Sequence, residues 1–188
     1  FTWKDFQSRC NSELLGKYGN LANRVLVFLQ NQCGGEAPKA APDATFVKEL
    51  HAKVEETRVA YENFQLRKAA AHIMEIAQLG NVYFDSNKPW TLAKSPETRP
   101  QMETVLATCL ECLKCMALVS FPIIPESAQK LWEMLGNTTL LDKVAWNEMI
   151  NAKLAGKLPK PEILFKRVED GVIEAQETKL KKTLAAKT

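Results

Sequence analysis

Residues 3–28, WKDFQSRCNSELLGKYGNLANRVLVF, carry the periodicity that decides the fold. Their apolar side chains recur every three or four positions, at Trp3, Phe6, Cys10, Leu14, Tyr18, Leu21, Val25 and Phe28. This spacing lies along one face of a helix and predicts a long amphipathic helix packed against a core. Gly16 and Gly19 each cost a helix about 1 kcal/mol without breaking the pattern. The helix is expected to end at residues 33–42, CGGEAPKAAP, which contain two glycines and two prolines.

Two further helical patterns follow. Asp43 is a candidate N-cap for a second helix. The inner positions of this helix are Leu50, Val54 and Tyr61. A third helix is expected over about residues 65–85. Its inner face contains Leu66, Ala69, Ile73, Ile76 and Ala77.

A fourth helix is expected to begin at Ser95 or Thr98 and to continue through a cysteine-bearing stretch to Ser120. Residues 121–136 indicate a break, a short helix begun by proline and a stop at Gly136. No strand-like alternation of apolar and polar residues occurs in the sequence. These patterns predict an all-α fold, an antiparallel helical bundle over residues 1–136 with a C-terminal extension.

The extension is expected to have two parts. Residues 137–178 form a linker that packs back on the bundle or on a domain outside this chain, with Trp146 and Phe165 as its contacts. Residues 179–188 form a basic tail that is expected to be frayed.

The charge of the chain limits the kinds of partner it suits. The chain has 188 residues, 46% of them hydrophobic and 25% charged, and its net charge is +3. The last eleven residues hold four lysines and no acid, so the rest carries 3 − 4 = −1. Any binding of nucleic acid by the bundle must therefore be local rather than driven by a broad positive field.

The hydropathy of the sequence indicates neither a membrane span nor a secretory leader, and a cytoplasmic location is expected. The sequence begins with Phe1, inside an amphipathic pattern, which suggests a piece cut from a longer protein.

The residues with reactive side chains do not form a catalytic or metal-binding pattern. Cys109, Cys112 and Cys115 have the spacing of iron–sulfur ligands, but helix-forming residues fill the gaps and no glycine or proline is present. They are expected on one helical face as small apolar groups. His51 and His72 lie within helical patterns, and we expect them to be packing or surface residues. The sequence therefore predicts no catalytic residue, no metal ligand and no bound cofactor in this chain.

Residues 81–94, NVYFDSNKPWTLAK, place a large aromatic side chain beside a helix breaker. Pro89 fixes its own φ and disfavours a helical conformation at Lys88, so the preceding helix should end there. Trp90 is then expected on a turn. Its ring either packs back on the bundle or faces outward for a partner, and composition leaves both alternatives open.

The first helix carries a second candidate for recognition. Asn20 and Arg24 are four residues apart and project from one side, on the flank of the apolar stripe and close to Lys17. Arginine supplies a planar donor fork, and asparagine supplies a donor and an acceptor, which suits an unpaired base. Hydrogen bonding between the helix and a neighbouring loop is the alternative.

Three stretches together resemble a known family. GNLANRVLVF (19–28), GNVYFDSNKPWTLAK (80–94) and SFPIIPESAQKLWEMLG (120–136) are similar, in this order, to the anticodon-binding domain of methionyl-tRNA synthetases, which are class I aminoacyl-tRNA synthetases. The first two are the more specific. EILFKRVED (162–170) also resembles the segment that follows the bundle, with Lys166 where a proline is common.

The resemblance implies roles for individual residues. It implies that Asn20, Arg24 and Trp90 recognise a CAU anticodon and that Pro89 shapes the turn. Trp90 would then face outward and stack on a base, which leaves discrimination to the other two side chains. The lysines near them, Lys17, Lys88 and Lys94, are candidate phosphate contacts.

The resemblance also implies partners. Initiator and elongator methionine tRNA would bind to this chain, which would be monomeric. An upstream Rossmann-type domain, whose HIGH and KMSKS signatures are absent here, would bind ATP and, as an option, zinc. That N-terminal catalytic domain would carry out the aminoacylation, so this piece should be inactive alone. Apolar surface near Trp3, Phe6 or Phe165 would be exposed without it.

Three alternatives remain open. The chain is the anticodon domain of another class I synthetase, a non-enzymatic helical module that binds protein through the Trp90 turn and the cysteine-bearing helix, or a complete enzyme with a different site.

Overall fold

The computed structural model describes residues 1–185, except for the side chains of residues 149 and 183–185. All secondary-structure elements in the described part of the chain are helices. The only β-type pairing there is an isolated antiparallel bridge between Glu36 and Lys157. The prediction of an all-α fold is confirmed. None of the helices in this part of the chain combines the length and apolar character needed to cross a membrane.

The first helical run continues from the N-terminus to Cys33, but its middle is wider than an α-helix. Helix α1 spans Trp3–Arg9, a π-helical segment spans Cys10–Gly19, and α2 spans Asn20–Cys33. The predicted long helix is therefore continuous, but its π-helical middle was not predicted. A π-helix has hydrogen bonds between residues five apart, and one such bond runs from the Asn20 amide to the Leu15 oxygen at the end of this segment.

The end of α2 and the start of the next helix follow their sequence signals. Gly34 adopts a left-handed conformation with φ 62° after α2, which favours glycine. Helix α3 spans Ala44–Glu62, and the Asp43 side chain accepts hydrogen bonds from the backbone amides of Thr45 and Phe46. The predicted N-cap is therefore confirmed.

Helix α4 spans Leu66–Asn87 and packs against α3, the π-helical segment and α2. Four of its five predicted inner residues are buried or nearly so: Ala69, Ile73, Ile76 and Ala77. Leu66 is instead 58% exposed, because it is the first residue of the helix and lies at the end of the bundle.

Gly80 allows α4 to approach its neighbours closely. A Cβ atom at this position would lie 2.4 Å from Leu21 Cδ2 and 2.8 Å from Cys112 Sγ. Both distances are shorter than normal contacts, so a side chain here would displace part of the core. The glycine in the GNVYF stretch thus sets the separation between α4, α2 and the helix that carries Cys112.

Two short elements and a long central helix follow. Helix α5 spans Pro89–Leu92, a 3₁₀ turn spans Pro96–Thr98, and α6 spans Arg99–Ser120. Helix α6 packs against α2, α3, α4 and α5, and against α7, which spans Pro125–Met134. Its apolar side chains form the centre of the bundle. The three cysteines of α6 are buried there, as the sequence predicts: Cys109, Cys112 and Cys115.

The chain beyond Gly136 packs back on the bundle. It contains a 3₁₀ turn at Leu141–Lys143, helix α8 at Trp146–Asn151 and helix α9 at Asp170–Ala185. Trp146 and Phe165 contact the core, and the Phe165 ring packs edge-on against Tyr18 with 5.7 Å between centroids. The expected tail at residues 179–188 is helical as far as 185, and the last three residues lie outside the described part.

A buried lysine attaches this extension to α6. Lys114 is 3% exposed, and its Nζ donates to the backbone oxygens of Ile150 at 2.8 Å and Ala152 at 2.9 Å. The Glu111 carboxylate lies 2.9 Å from the same ammonium group. The three acceptors satisfy its three donors, so the charge is compensated within the fold.

An aromatic cluster is exposed at the N-terminal end. The Phe1, Trp3 and Phe6 rings contact one another with centroids 5.2–6.2 Å apart, and Phe6 is 42% exposed. Apolar surface was expected near Trp3, Phe6 or Phe165. Phe6 is exposed, whereas Trp3 and Phe165 are half-buried.

Candidate nucleic-acid interface

Side chains from three helices converge at one edge of the bundle. Asn20 and Arg24 project from α2 toward α4, where they meet Asn81 and Asp85. Trp90 comes from α5, which follows α4 directly. The structure therefore brings together the three residues that the sequence singled out for recognition.

Arg24 is held in place by two interactions. Its guanidinium NH2 group lies 2.5 Å from Asp85 Oδ1, and its Cζ lies 5.0 Å from the centroid of the Phe84 ring. The Arg24 side chain remains 30% exposed. Hydrogen bonding to Arg24 lowers the pKa of Asp85, which keeps this carboxylate charged. The planar donor fork of Arg24 is thus oriented before any ligand arrives.

Phe84 links Arg24 to Trp90. The Phe84 ring is 3% exposed and packs edge-on against Trp90, with 5.8 Å between the ring centroids. Trp90 itself remains 41% exposed. Both alternatives for Trp90 therefore hold in part, because one edge packs on the bundle while the rest of the indole faces solvent.

Asn20 is connected to the interior through Asn81. Asn20 Nδ2 lies 3.4 Å from Asn81 Oδ1, and Asn81 is 8% exposed. Asn81 in turn donates to the backbone oxygens of Lys17 and Ala77. Asn20 is exposed and makes no hydrogen bond to a loop within the described residues, so the alternative of helix-to-loop bonding is not what the structure shows.

The conformation around Pro89 differs in detail from the predicted turn. Lys88 ends α4 in a left-handed conformation with φ 44° and ψ 59°, and Pro89 is buried and begins α5. Trp90 thus lies in the first turn of a short helix rather than on a turn. The reason is that proline is favoured at the first helical position, where no amide donor is required.

Two of the three candidate phosphate contacts flank α5, whereas the Lys17 side chain lines a pocket with Met74 and Gln78 on earlier turns of α4. Lys88 and Lys94 are exposed beside α5, and Lys17 is half-buried one turn before Asn20. Within the described residues, none of these three lysines forms an ion pair, so their ammonium groups are available to an external anion.

Sequence inspection missed Asn81, Phe84 and Asp85. A signal was present, because Asn81 and Asp85 have the same four-residue spacing as Asn20 and Arg24. Because α2 and α4 run in the same direction, Asn20 faces Asn81 and, one turn later, Arg24 faces Asp85. That pairing becomes evident only when the packing of α2 on α4 is known.

A second group of polar side chains lies away from this edge. Ligand atoms of His51, Glu111 and Cys115 lie within 4.8 Å of one another. However, Lys114 Nζ already lies 2.9 Å from Glu111 Oε1, and burial raises the pKa of the Cys115 thiol. These features favour a polar network between α3 and α6 over a metal centre. The absence of a metal ligand set stays a prediction.

Comparison with known proteins identifies the family. The family model described as the anticodon binding domain of methionyl tRNA ligase matches residues 34–184. These residues include Asn81, Asp85 and Trp90, while Asn20 and Arg24 precede them.

Individual relatives agree with this match. A methionine-tRNA ligase of Protochlamydia amoebophila is 50% identical over 186 residues, which cover 96% of this chain and 27% of that protein. A methionine-tRNA ligase of Chlamydia pneumoniae is 39% identical over 186 residues, which cover 90% of this chain and 33% of that protein. The chain therefore spans about a third or less of the length of these relatives.

The fold agrees as well. The apo form of Mycobacterium tuberculosis methionyl-tRNA synthetase matches with a TM-score of 0.80 and 25% identity, over 90% of this chain and 35% of that one. Sequence and structure thus point to the same domain. The chain belongs to the family of anticodon-binding domains of methionyl-tRNA ligases.

Proposed function

We propose that this chain recognises the CAU anticodon of initiator and elongator methionine tRNA. The observation that carries the proposal is the convergence of Asn20, Arg24 and Trp90 at one edge of a domain in this family. An exposed aromatic face beside oriented polar groups suits unpaired bases, which can be stacked and hydrogen-bonded at once.

Each side chain has a distinct role in this proposal. Trp90 stacks on one anticodon base, a contact that tolerates any base. Asn20 and Arg24 hydrogen-bond to base edges and provide discrimination. Lys17, Lys88 and Lys94 bind phosphates, which positions the loop without specifying its sequence. Pro89 holds α5 so that the Trp90 ring remains at the edge.

The chemistry belongs to a longer protein in this proposal. Its N-terminal catalytic domain attaches methionine to the tRNA, using ATP and, where that domain has a zinc site, zinc. This chain contributes binding and no catalytic residue. The whole protein is then a cytoplasmic methionine-tRNA ligase, and this chain is a monomer that contacts the catalytic domain.

A titration tests the proposal. The chain is titrated at low salt with an anticodon stem-loop carrying CAU and with one whose first anticodon base is changed. Preference for CAU supports the proposal. Raising the salt should weaken binding with a logarithmic slope near −2, because three lysine–phosphate contacts each contribute about −0.7 on single strands.

Equal binding of the two stem-loops contradicts the proposal for the isolated chain. Repeating the titration in a full-length methionine-tRNA ligase containing this domain then decides the matter. Equal binding there as well overturns the assignment of this edge as the anticodon site.

A further inference from the structure

The buried amide of Asn81 has only one chemically acceptable orientation. Two backbone oxygens approach it, Ala77 O at 2.8 Å and Lys17 O at 3.1 Å. Carbonyl oxygens only accept hydrogen bonds, so the group that faces them must be the amide nitrogen. Asn81 Oδ1 therefore points the other way, toward Asn20.

The orientation of Asn20 follows from that of Asn81. An amide oxygen only accepts, and the Asn20 atom 3.4 Å from Asn81 Oδ1 is accordingly the nitrogen, Nδ2. Asn20 is exposed, and with Nδ2 turned toward Asn81 its Oδ1 is the amide atom left for a ligand. This oxygen can only accept a hydrogen bond.

Arg24 presents the complementary group. Arg24 lies one helical turn after Asn20, and residues at this spacing in a helix have their Cβ atoms about 5–6 Å apart. Its guanidinium only donates, and Asp85 and Phe84 hold its plane. The edge thus offers an acceptor beside a donor, both fixed by neighbours on α4.

We propose that Asn81 is a positioning residue: it fixes which atom of the Asn20 amide meets the ligand, and so keeps the Asn20–Arg24 pair matched to a base with an exocyclic amino group next to an unprotonated ring nitrogen. Cytosine and adenine have this edge. Uracil and guanine have the reverse, a keto oxygen next to a ring N–H. They would place an acceptor opposite the Asn20 oxygen and a donor opposite the Arg24 guanidinium. This inference rests on the proposed anticodon function, whose CAU sequence offers such an edge at its first two positions.

The test combines one substitution with three stem-loops. Asn81→Ala leaves the Asn20 amide free to turn over, while Arg24 and Trp90 are unaltered. Wild-type protein and N81A are titrated with CAU, UAU and CGU stem-loops, in which one amino-bearing base at a time is replaced by a keto-bearing base. Asn63→Ala is the matched control, because Asn63 Nδ2 also donates to a helix oxygen, Val59 O, but at the far end of α3.

The expected result is a loss of discrimination. In N81A, preference for CAU over one of the two altered loops falls about tenfold, as expected for one hydrogen bond lost and one gained. Affinity for CAU falls while affinity for that altered loop rises, and the salt dependence stays the same. N63A behaves as wild type.

Two outcomes overturn the inference. Equal weakening of all three loops in N81A would mean a purely structural role for Asn81, and unchanged preference would mean that Asn81 does not orient Asn20. If N81A does not fold, Asn81→Ser replaces it, since a serine hydroxyl bonds to the oxygen four residues earlier and does not reach Asn20. A wild-type chain without any preference for CAU contradicts the proposed function itself, and with it this inference.

Discussion

Helices α4 and α6 are each 22 residues long and pack against each other, yet they are used differently. From Val105 onward, almost every residue of α6 is buried. The last two turns of α4 instead keep one polar edge, where Asn81 and Asp85 hold side chains of α2. Equal length therefore does not predict the role of a helix, which depends on the elements packed around it.

The polar groups of the two helices show the same contrast. On α6, the Lys114 ammonium group is satisfied by acceptors inside the fold. On α4, Asn81 and Asp85 instead bond to Asn20 and Arg24, whose side chains are still accessible to a ligand. The centre of the bundle thus supplies stability, and the α2–α4–α5 edge is oriented for binding. Three substitutions, from the largest expected effect to the smallest, test this division.

Leu113→Ala should have the largest effect, and it should be on stability. Leu113 lies on α6 with no exposed surface, and its truncation leaves a cavity that costs about 2–5 kcal/mol of unfolding free energy. Urea denaturation measures the change. Val82→Ala on α4 is the control, because Val82 is 52% exposed and should change stability by less than about 0.5 kcal/mol. A loss below 1 kcal/mol for L113A would show that α6 is not the centre of the core.

Trp90→Ala should reduce binding of a CAU stem-loop by about 1–3 kcal/mol, because a stacking surface for a base is lost. The fold should remain intact, since much of the ring is exposed. Phe6→Ala is a matched control. Phe6 is 42% exposed against 41% for Trp90, but it lies 14 residues before Asn20 along the helical run. Equal effects of the two substitutions on affinity would mean that Trp90 has no specific role.

Asp85→Asn should have the smallest effect, and it should depend on pH. The pKa of Asp85 is lowered by Arg24, so this pair stabilises the fold above the unfolded-state pKa of about 3.9 and loses its effect as the pH falls through the folded-state value. Because Asp85 is 56% exposed, the difference from wild type at pH 7 should be no more than about 1 kcal/mol.

Urea denaturation at pH 7 and at pH 2 measures this difference. It should be present at pH 7 and smaller at pH 2, because Asp85 becomes protonated as the pH falls below the unfolded-state pKa of about 3.9 and through its lowered folded-state pKa. A difference that is the same at both pH values would show that the Arg24–Asp85 ion pair is not its source.

Part of the site was predictable because it depends on local signals. Asp43 caps α3, α4 ends just before Lys88 and Pro89, and Asn20 and Arg24 share a side of one helix, all of which follow from short spacings. The π-helical segment before Asn20 was not predicted, because apolar steps of four are compatible with an α-helix when judged by spacing alone. Leu66 also fits an inner position by spacing and is exposed only because the bundle ends there.

The sequence by itself determined the helical class, the Asp43 cap of α3 and the candidate residues Asn20, Arg24 and Trp90, since each follows from periodicity, from residues a few positions apart or from resemblance to a family. Only the tertiary structure decided which groups orient them. Asn81, Phe84 and Asp85 each lie 60 or more residues in sequence from the α2 residue that they contact, and they meet only because Gly80 lets α4 pack closely against α2. The direction of an amide and the plane of a guanidinium depend on such long-range contacts, which no local pattern encodes.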